Sequence, residues 1–398
     1  MYLLPKPKTI KEQDGQMLLC HSTHIVMTKE VAETEMHAAK RLQEAIRQET
    51  GLILPFSVGE VREGDLSLGI AKTLPEQTYE ITIDEKGGQI SGGDGAGVLY
   101  GVETFCQIVQ QCGGILPCVQ IQDAPDMPNP GYYFDQTRGR VLKLEELKKI
   151  ADRMCRYKLN QLQLYVEHTY LFRDFSEMWR DQTPLTAEEI RELDSYCRER
   201  HIELVPSLAS FGHLCTLLST KTYGDLCEME DSWKEPFSFW NRMRYHTINV
   251  SDERSLPLIK KMIAEYMQLF SSNKFNICAD ETFCLGKYKS KKLAEERGVH
   301  RLYIDYVKEL AQFLVENGKI PMFWGDIIWN SPELMKELPE SMICLNWGYA
   351  PEQREDETRA IAQTGAVQYL CPGVCGWNQW ANLIENSYKN ITRMCGYA

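Results

Sequence analysis

The sequence lacks several features that identify whole classes of protein. None of its 398 residues fall in an apolar run long enough to span a bilayer, so no membrane segment is predicted. Positive charge is scarce, because 44 Lys and Arg stand against 56 Asp and Glu, which gives a net charge of −12. An acidic surface argues against nucleic acid and anionic membranes as partners. The first residues hold no apolar core of signal-peptide length. The cysteine usage described below leads us to expect a cytoplasmic protein.

Several catalytic and cofactor motifs are also missing. The chain has no Gly-x-Ser-x-Gly elbow, and its glycine-rich segment at 91–95 lacks the Lys-Ser/Thr of a phosphate-binding loop. The 14 cysteines are scattered without Cys-x-x-Cys or zinc spacing, which is typical of buried thiols in a reducing compartment. A metal site at Glu167, His213 and Asp280 is a weaker alternative, because it offers one histidine and no His-x-x-x-His pair. We therefore do not expect a metal.

The first third of the chain predicts a smaller α+β domain, over residues 1–127. Alternating strands and two helices, at 30–50 and 96–111, indicate two helices against a mostly antiparallel sheet. Three prolines between Pro125 and Pro130 stiffen the boundary to a second domain, residues 128–398.

The second domain alternates strands and helices. Seven strands are predicted: Tyr132–Phe134, Leu159–Val166, Ile202–Pro206, the apolar stretch from Phe275 to the acids at 280 and 281, Ile320–Trp324, Met342–Trp347 and Val367–Leu370. Repeated βα units predict an α/β fold, the (β/α)8 TIM-type barrel. No eighth strand is visible, so we expect a barrel truncated before strand eight that a further segment or a partner closes. An open doubly wound sheet is the alternative, disfavoured because no dinucleotide fingerprint follows the first strand.

Polar and aromatic side chains follow the predicted strands at one end. These residues are Arg138, Glu167 with His168, His213, Asp280 with Glu281, Trp324 with Asp326, Trp347 with Tyr349, and Trp377. Singly, a histidine or tryptophan is more often part of a core. Together they share the mouth of a barrel, where enzymes of this fold keep their chemistry. Aromatic faces cover the apolar face of a pyranose and charged groups bind its hydroxyls, so the set predicts a sugar site.

The motifs resemble glycoside hydrolase family 20, the β-N-acetylhexosaminidases. The resemblance covers most of the chain and is carried by Gly101–Gln107, Ile121–Pro125, Asp135–Arg138, Leu204–His213, Ala279–Glu281, Phe323–Asp326 and Asn346–Tyr349. It implies an exo-acting enzyme that removes terminal β-linked N-acetylhexosamine, GlcNAc or GalNAc, from a glycan without a cofactor. The alternative is a carbohydrate-binding pseudoenzyme or an inactive barrel fragment. Self-association as a homodimer is left open.

The resemblance also implies a role for each site residue. The substrate's own acetamido oxygen attacks the anomeric carbon, and the product retains its configuration. Asp280 orients the acetamide and Glu281 is the general acid and base. His213, held by Glu167, keeps Glu281 protonated and aligned. Sugar-binding roles fall to Arg138, His168, Trp324, Asp326, Trp347, Tyr349 and Trp377.

Four departures from the family pattern predict a divergent, bacterial-type branch. The Glu-Ile-Asp after the third-strand proline is Ser207–Ala209, and Phe211 replaces the proline before Gly-His. Glu167 and His168 stand where the second strand usually carries aspartates. The seventh-strand Tyr-Leu-Asp is Tyr369–Cys371, which removes an expected contact of the sugar pocket.

Overall fold

The computed structural model describes residues 1–377 and 379–398. The chain forms two compact units. The first contains residues 1–132, 143–162 and 192–204, and the second contains 133–142, 163–191 and 205–398. These units follow contacts rather than chain order, so the predicted boundary at residue 127 stays a prediction. None of the described helices is both long enough and apolar enough to cross a membrane.

The N-terminal region is a seven-stranded mixed sheet with helices. Its elements are β1 (Thr9–Leu18), β2 (Ile25–Met27), α1 (Lys29–Thr34), α2 (Met36–Thr50), β3 (Phe56–Val58), β4 (Leu66–Ile70), β5 (Tyr79–Asp84), β6 (Gly87–Gly92), α3 (Gly95–Cys112) and β7 (Ile115–Asp123). The order in the sheet is β1-β7-β5-β6-β4-β2-β3. The pairs of β2 with β3, β2 with β4 and β4 with β6 are parallel. The prediction of a mostly antiparallel sheet is therefore wrong, because helical crossovers such as α1–α2 return the chain in the same direction.

The remaining elements alternate as predicted. They are β8 (Gly131–Asp135), α4 (Leu144–Arg156), β9 (Gln161–Val166), α5 (Ser176–Trp179), α6 (Ala187–Arg198), β10 (Glu203–Leu208), α7 (Cys215–Leu218), α8 (Phe239–Arg244), α9 (Ser255–Met267), β11 (Lys274–Asn276), α10 (Lys291–Arg297), α11 (Val299–Glu316), β12 (Ile320–Trp324), β13 (Ile343–Gly348), α12 (Asp356–Ala362), β14 (Gln368–Pro372) and α13 (Ile384–Cys395). The seven strands lie in chain order, from β8 at one edge to β14 at the other. Neighbours from β10 to β14 pair in parallel, the arrangement of a TIM-type barrel. Within the described residues no strand follows β14, and the idea of a truncated barrel stays a prediction.

Strand β11 is shorter than the sequence predicts. It ends at Asn276, although Ile277, Cys278 and Ala279 stay buried. Cys278 and Ala279 take φ values of 58° and 65°, in the left-handed region that side chains with a Cβ rarely occupy. The ladder therefore ends early, and the chain turns before the two acids instead of carrying them on an extended strand.

Candidate active site

The two acids after β11 share one imidazole. His213 Nε2 lies 3.3 Å from Asp280 Oδ2 and 3.3 Å from Glu281 Oε2. The His213 side chain is 1% exposed, whereas those of Asp280 and Glu281 are 19% and 27% exposed. A buried histidine thus lies behind two carboxylates that solvent and a ligand can reach.

Two residues of this trio have a strained backbone conformation. His213 and Glu281 have φ values of 59° and 47°, which are costly for residues with a Cβ. Gly212 allows the loop after β10 to approach the loop after β11 closely, because a Cβ at this position would lie 2.5 Å from the Asp280 carbonyl oxygen. The Gly-His of the sequence motif therefore has a steric basis: the glycine admits the loop that carries the acids.

His213 and Asp280 stabilise each other's charged form. Burial alone would lower the pKa of His213, but the neighbouring Asp280 and Glu281 raise it to about 10. Burial alone would raise the pKa of Asp280, but His213 and Arg138 bring the pKa of that carboxyl below its usual value. At neutral pH the imidazole is a cation and Asp280 is an anion.

Asp326 is the third carboxylate of the site and reaches it from the end of β12. Its Oδ2 accepts the backbone N–H of Glu281 at 3.0 Å. Its Oδ1 is buried and has no hydrogen-bond partner among the residues described. Burial, followed by the charge of Asp280, raises the pKa of Asp326 to about 8. The geometry thus joins this predicted sugar contact to the main chain of the loop that carries Asp280 and Glu281.

Glu167 makes contacts that the sequence did not indicate. It accepts the hydroxyl of Tyr165 at 2.9 Å and pairs with Arg242 Nη2 at 3.0 Å. No hydrogen bond or ion pair joins it to His213 in the part of the chain described, so the expectation that Glu167 holds His213 directly is not met. Glu167 contributes through its charge, which helps to raise the pKa of His213.

Arg242 is the site residue that sequence reasoning missed. It lies on α8, in the long connection between β10 and α9, and no motif or strand end points to it. The neighbouring Met243 places its sulfur 3.4 Å from Arg138 Nη1. Helix α8 therefore supplies contacts to residues that follow β8 and β9.

His168 has little surface to offer a ligand. It is 4% exposed, and its Nδ1 lies 3.2 Å from the Thr216 hydroxyl. Burial lowers its pKa, so the ring is neutral at physiological pH. Its predicted sugar contact stays a prediction, and its present partner favours a supporting role.

Arg138 is held in place from three sides. Its Nε donates to Asp135 Oδ2 at 2.6 Å, its guanidinium lies 4.7 Å from the centre of the Tyr165 ring, and Met243 touches Nη1. The nearby anionic groups keep its pKa above the usual value. For Nη2 no partner occurs among the described residues, which leaves that corner of the guanidinium for a ligand.

The predicted aromatic residues occupy two places. Trp324 is 7% exposed and packs edge-on against Tyr133, with ring centres 4.9 Å apart. A second group is formed by Trp347 near the end of β13, Tyr349 after β13 and Trp377 after β14. The Trp347 and Tyr349 rings stack at 4.8 Å, and those of Tyr349 and Trp377 lie 4.4 Å apart. Tyr349 and Trp377 are 40% and 49% exposed, so this group presents aromatic surface to a ligand.

Helix α11 supports the site from behind. Tyr303 donates its hydroxyl to the Ala279 carbonyl at 3.1 Å, and Tyr306 donates to the Ser210 carbonyl at 3.0 Å. Phe211 packs on both tyrosine rings, at 5.7 Å and 4.2 Å. The phenylalanine that departs from the family pattern therefore fills a buried aromatic cluster beneath His213.

Two other departures lie in the interior of the strands. Ser207 is fully buried, and its hydroxyl lies 3.0 Å from that of Tyr133. Cys371 is half-buried on β14, with its sulfur 3.8 Å from the Tyr369 carbonyl oxygen. Neither residue presents a carboxylate to the site.

The trio could also be considered as a metal site. Potential ligand atoms of His213, Asp280 and Glu281 lie within 4.8 Å of one another, whereas Glu167 is outside this set. A metal needs the lone pair of a neutral imidazole. Because its neighbours raise the pKa of His213 to about 10, a metal would have to displace a proton from that imidazole at neutral pH. The expectation that the site works without a metal therefore stays our prediction.

Solved structures with a similar fold include two hexosaminidases. A β-hexosaminidase mutant of Streptomyces plicatus, in complex with GlcNAc, has a TM-score of 0.79 at 19% identity and covers 97% of this chain and 80% of that one. The exo-β-N-acetylglucosaminidase of Vibrio harveyi, also with N-acetylglucosamine, has a TM-score of 0.77 at 19% identity, covering 93% of this chain and 60% of that chain. At such identity these similarities show the fold alone.

Proteins with a similar sequence include two that are named β-hexosaminidase. The β-hexosaminidase of Porphyromonas gingivalis is 24% identical over 411 residues, which is 94% of this chain and 50% of that protein. The β-hexosaminidase of Vibrio furnissii is 26% identical over 310 residues, which is 70% of this chain and 48% of that protein. The chain thus spans about half the length of these relatives.

The family models match both regions of the chain. Residues 1–124 match glycosyl hydrolase family 20, domain 2, and residues 130–393 match the catalytic domain of the same family. The second match alone covers well over half of the sequence and contains every site residue described above. The chain belongs to glycosyl hydrolase family 20.

Proposed function

We propose that the protein is an exo-acting β-N-acetylhexosaminidase that works by substrate-assisted catalysis with retention of configuration. The observation that carries this proposal is the pairing of Asp280 and Glu281 on one imidazole. Oxygens of the two carboxylates lie within 4.8 Å of each other, too close for the about 6.5–9.5 Å of an inverting pair. Consecutive residues also approach a sugar from one side, whereas a direct-displacement pair must flank the bond.

In the first step the substrate supplies its own nucleophile. Its 2-acetamido oxygen attacks the anomeric carbon, the glycosidic bond breaks, and an oxazolinium intermediate forms. Asp280, ionised beside His213, orients the acetamide N–H and stabilises the positive charge that develops there. Glu281 donates its proton to the departing glycosidic oxygen.

In the second step the same residues act in reverse. Glu281, now a carboxylate, takes a proton from a water molecule while the oxygen of that water attacks the anomeric carbon. The carbon–oxygen bond of the oxazolinium breaks and the acetamide is restored. Two inversions give a β-configured hemiacetal, with no metal or organic cofactor in either step.

The surrounding side chains suit a terminal pyranose. The Nη2 group of Arg138 can donate its N–H groups to sugar hydroxyls, while the bond from Nε to Asp135 fixes the guanidinium. Trp347, Tyr349 and Trp377 offer aromatic faces. The Streptomyces plicatus and Vibrio harveyi neighbours were solved with GlcNAc, which makes β-linked GlcNAc the first substrate to test here.

Turnover of chromogenic β-N-acetylglucosaminide and β-N-acetylgalactosaminide tests the function. We expect hydrolysis of at least one, with initial formation of the β-anomer in the proton NMR spectrum. The matched control is the corresponding β-glucoside, which lacks the acetamide and should not be cleaved. Binding of GlcNAc without any turnover would favour the alternative, a carbohydrate-binding pseudoenzyme. Release of the α-anomer would refute retention.

Location and assembly are separate proposals. The 14 cysteines are all unpaired, which supports a reducing, cytoplasmic location. Cell fractionation tests this, and recovery outside the cytoplasm would refute it. A homodimer also stays a prediction, which sedimentation of the purified chain tests.

A further inference from the structure

Asp326 approaches the catalytic loop from a different strand and touches its backbone. Its Oδ2 accepts the N–H of Glu281 at 3.0 Å. On the other side of the same residue, the Glu281 carbonyl accepts the N–H of Phe283 at 2.7 Å. The main chain of Glu281 is therefore fixed at both of its polar groups, one of them by a side chain.

The residue fixed in this way needs an external restraint. Glu281 has a φ of 47°, a conformation that is unfavourable for a glutamate and persists only where surrounding contacts impose it. If the N–H lost its acceptor, rotation toward an ordinary backbone conformation would swing the carboxylate away from His213. The Asp326 contact is thus well placed to hold the direction of the Glu281 side chain.

Asp326 itself is held in position. It directly follows Gly325, whose N–H donates to the Leu345 carbonyl at 2.8 Å. A Cβ at Gly325 would lie 2.7 Å from the Cys344 sulfur, so the glycine allows β12 to turn tightly against β13 at this point. The turn directs Asp326 toward the loop that follows β11.

We propose that Asp326 is a positioning residue for the acid/base Glu281, acting through the Glu281 backbone N–H rather than by contact with the sugar. This inference rests on the proposed function for the role of Glu281. It replaces the sugar contact that the family motif implies for Asp326.

The protonation of Asp326 decides which substitution preserves this role. With burial and Asp280 raising its pKa to about 8, Asp326 is mostly a neutral acid at pH 7. An asparagine has the same shape, with a carbonyl oxygen to accept the Glu281 N–H and an amide in place of the acid O–H. Asp326→Asn should therefore preserve the restraint, whereas Asp326→Ala removes it.

The kinetic test compares substrates that differ in their need for an acid. We expect Asp326→Ala to lower kcat by about 10- to 100-fold on a sugar leaving group and much less on a 4-nitrophenyl leaving group, with KM within about threefold. Asp326→Asn should stay within about threefold of the wild type on both. In a Glu281→Gln background, Asp326→Ala should add little, because both changes disable the same proton transfer. A uniform rise of KM, or an Asn variant as impaired as the Ala variant, would overturn the proposal.

A second measurement does not depend on activity. Hydrogen exchange of the Glu281 amide, followed in a peptide that covers 278–284, should speed up in Asp326→Ala and stay near the wild-type rate in Asp326→Asn. Unchanged exchange in the Ala variant would overturn the proposal. If that variant does not fold, faster exchange in the folded Asn variant would do the same. A wild type that hydrolyses no hexosaminide would refute the proposed function, while the exchange result would still decide the role of Asp326.

Discussion

Adjacent carboxylates with different surroundings should fail in different ways when they are replaced. Glu281→Gln removes the proton that a sugar leaving group needs, so we expect a loss of about 100-fold or more on a disaccharide and a much smaller loss in the first step on a 4-nitrophenyl glycoside. Asp280→Asn should lower both by about 100-fold, because the charge of the intermediate forms with either leaving group. Steady-state and burst kinetics on the two substrates check this. Equal losses in Glu281→Gln would move the acid role to another residue.

Arg138 and Arg242 provide a matched pair of substitutions. Arg138→Lys should lower kcat/KM by about 10-fold or more, because the single nitrogen of an ammonium cannot reproduce the planar fork in which Nε holds Asp135 and Nη2 reaches a sugar hydroxyl. Arg242→Lys keeps the charge opposite Glu167 and should cost less. Michaelis–Menten parameters of the two variants give the comparison. Wild-type kinetics in Arg138→Lys would place that residue outside the sugar contacts.

The site should work without a metal ion. The neighbouring carboxylates raise the pKa of His213 to about 10, so a metal would have to displace the proton of its imidazole. We expect the activity to be unchanged after dialysis against EDTA. Loss in EDTA that added zinc restores would identify the trio as a metal site instead.

At the residue scale, sequence reasoning found the members of the site better than their contacts. Strand ends and family motifs pointed to His213, Asp280 and Glu281, because residues that follow the strands of a barrel all lie at the same end of it. Arg242 was missed because it comes from a long connection, where position in the chain does not determine position in space. The Asp326 contact was also missed, since a side chain that accepts a backbone N–H leaves no mark in a sequence pattern.

Secondary-structure elements were predicted well where apolar periodicity and capping agreed. Thr186 and Glu189 form a capping box at the start of α6: the Thr186 N–H donates to Glu189 at 2.9 Å, and the Glu189 N–H donates to the Thr186 hydroxyl at 3.2 Å. The predicted helix at 30–50 is two helices, because Glu35 leaves helical geometry between them. The end of β11 was misjudged, since left-handed backbone at Cys278 and Ala279 follows from tertiary contacts and not from residue type.

Helix α11 provides a test at the scale of one element. Tyr303→Phe deletes the hydrogen bond to the Ala279 carbonyl and keeps the ring that packs on Phe211. We expect a loss of about 0.5–1.5 kcal/mol in the free energy of unfolding and a kcat lowered by about threefold to tenfold, because the carbonyl directly before Asp280 loses its anchor. Denaturant unfolding and kinetics measure the two effects. Tyr306→Phe, which loses its bond to Ser210 instead, is the control for the loss of a buried hydroxyl. Unchanged kcat in Tyr303→Phe would separate the helix from catalysis.

For the whole molecule, the raised pKa of Asp326 gives stability a pH dependence. Its pKa is about 8 in the folded protein against an ordinary 3.8. Between these values the folded state binds the proton more tightly, so this group makes the free energy of unfolding fall as pH rises from about 4 to 8. Asp326→Asn cannot titrate and should gain stability relative to the wild type across that window. His213, with its pKa raised to about 10, loses its stabilising effect above about pH 6.5 in both proteins.

Thermal melts of the two proteins at pH 4.5, 6 and 8 check this expectation. The difference in melting temperature should widen with pH in favour of the asparagine variant. Parallel curves would mean that Asp326 titrates normally in the folded chain.

The fold of the whole molecule was predictable because (β/α)8 units follow one another in a fixed order. The N-terminal sheet was less predictable, because its strand order mixes crossovers with hairpins and several topologies suit the same pattern. Counting strands describes only the sequence at hand. That a further strand closes the barrel therefore stays a prediction.

The hydroxyl of Tyr303 on α11 donates to the carbonyl of Ala279, the residue directly before Asp280, and the tyrosine is buried. A fluorine atom placed beside that hydroxyl, by incorporating fluorotyrosine at position 303, would give a magnetic resonance signal that senses the loop without occupying the sugar pocket. Such a label would allow inhibitor screening by chemical shift, including compounds that bind without being hydrolysed.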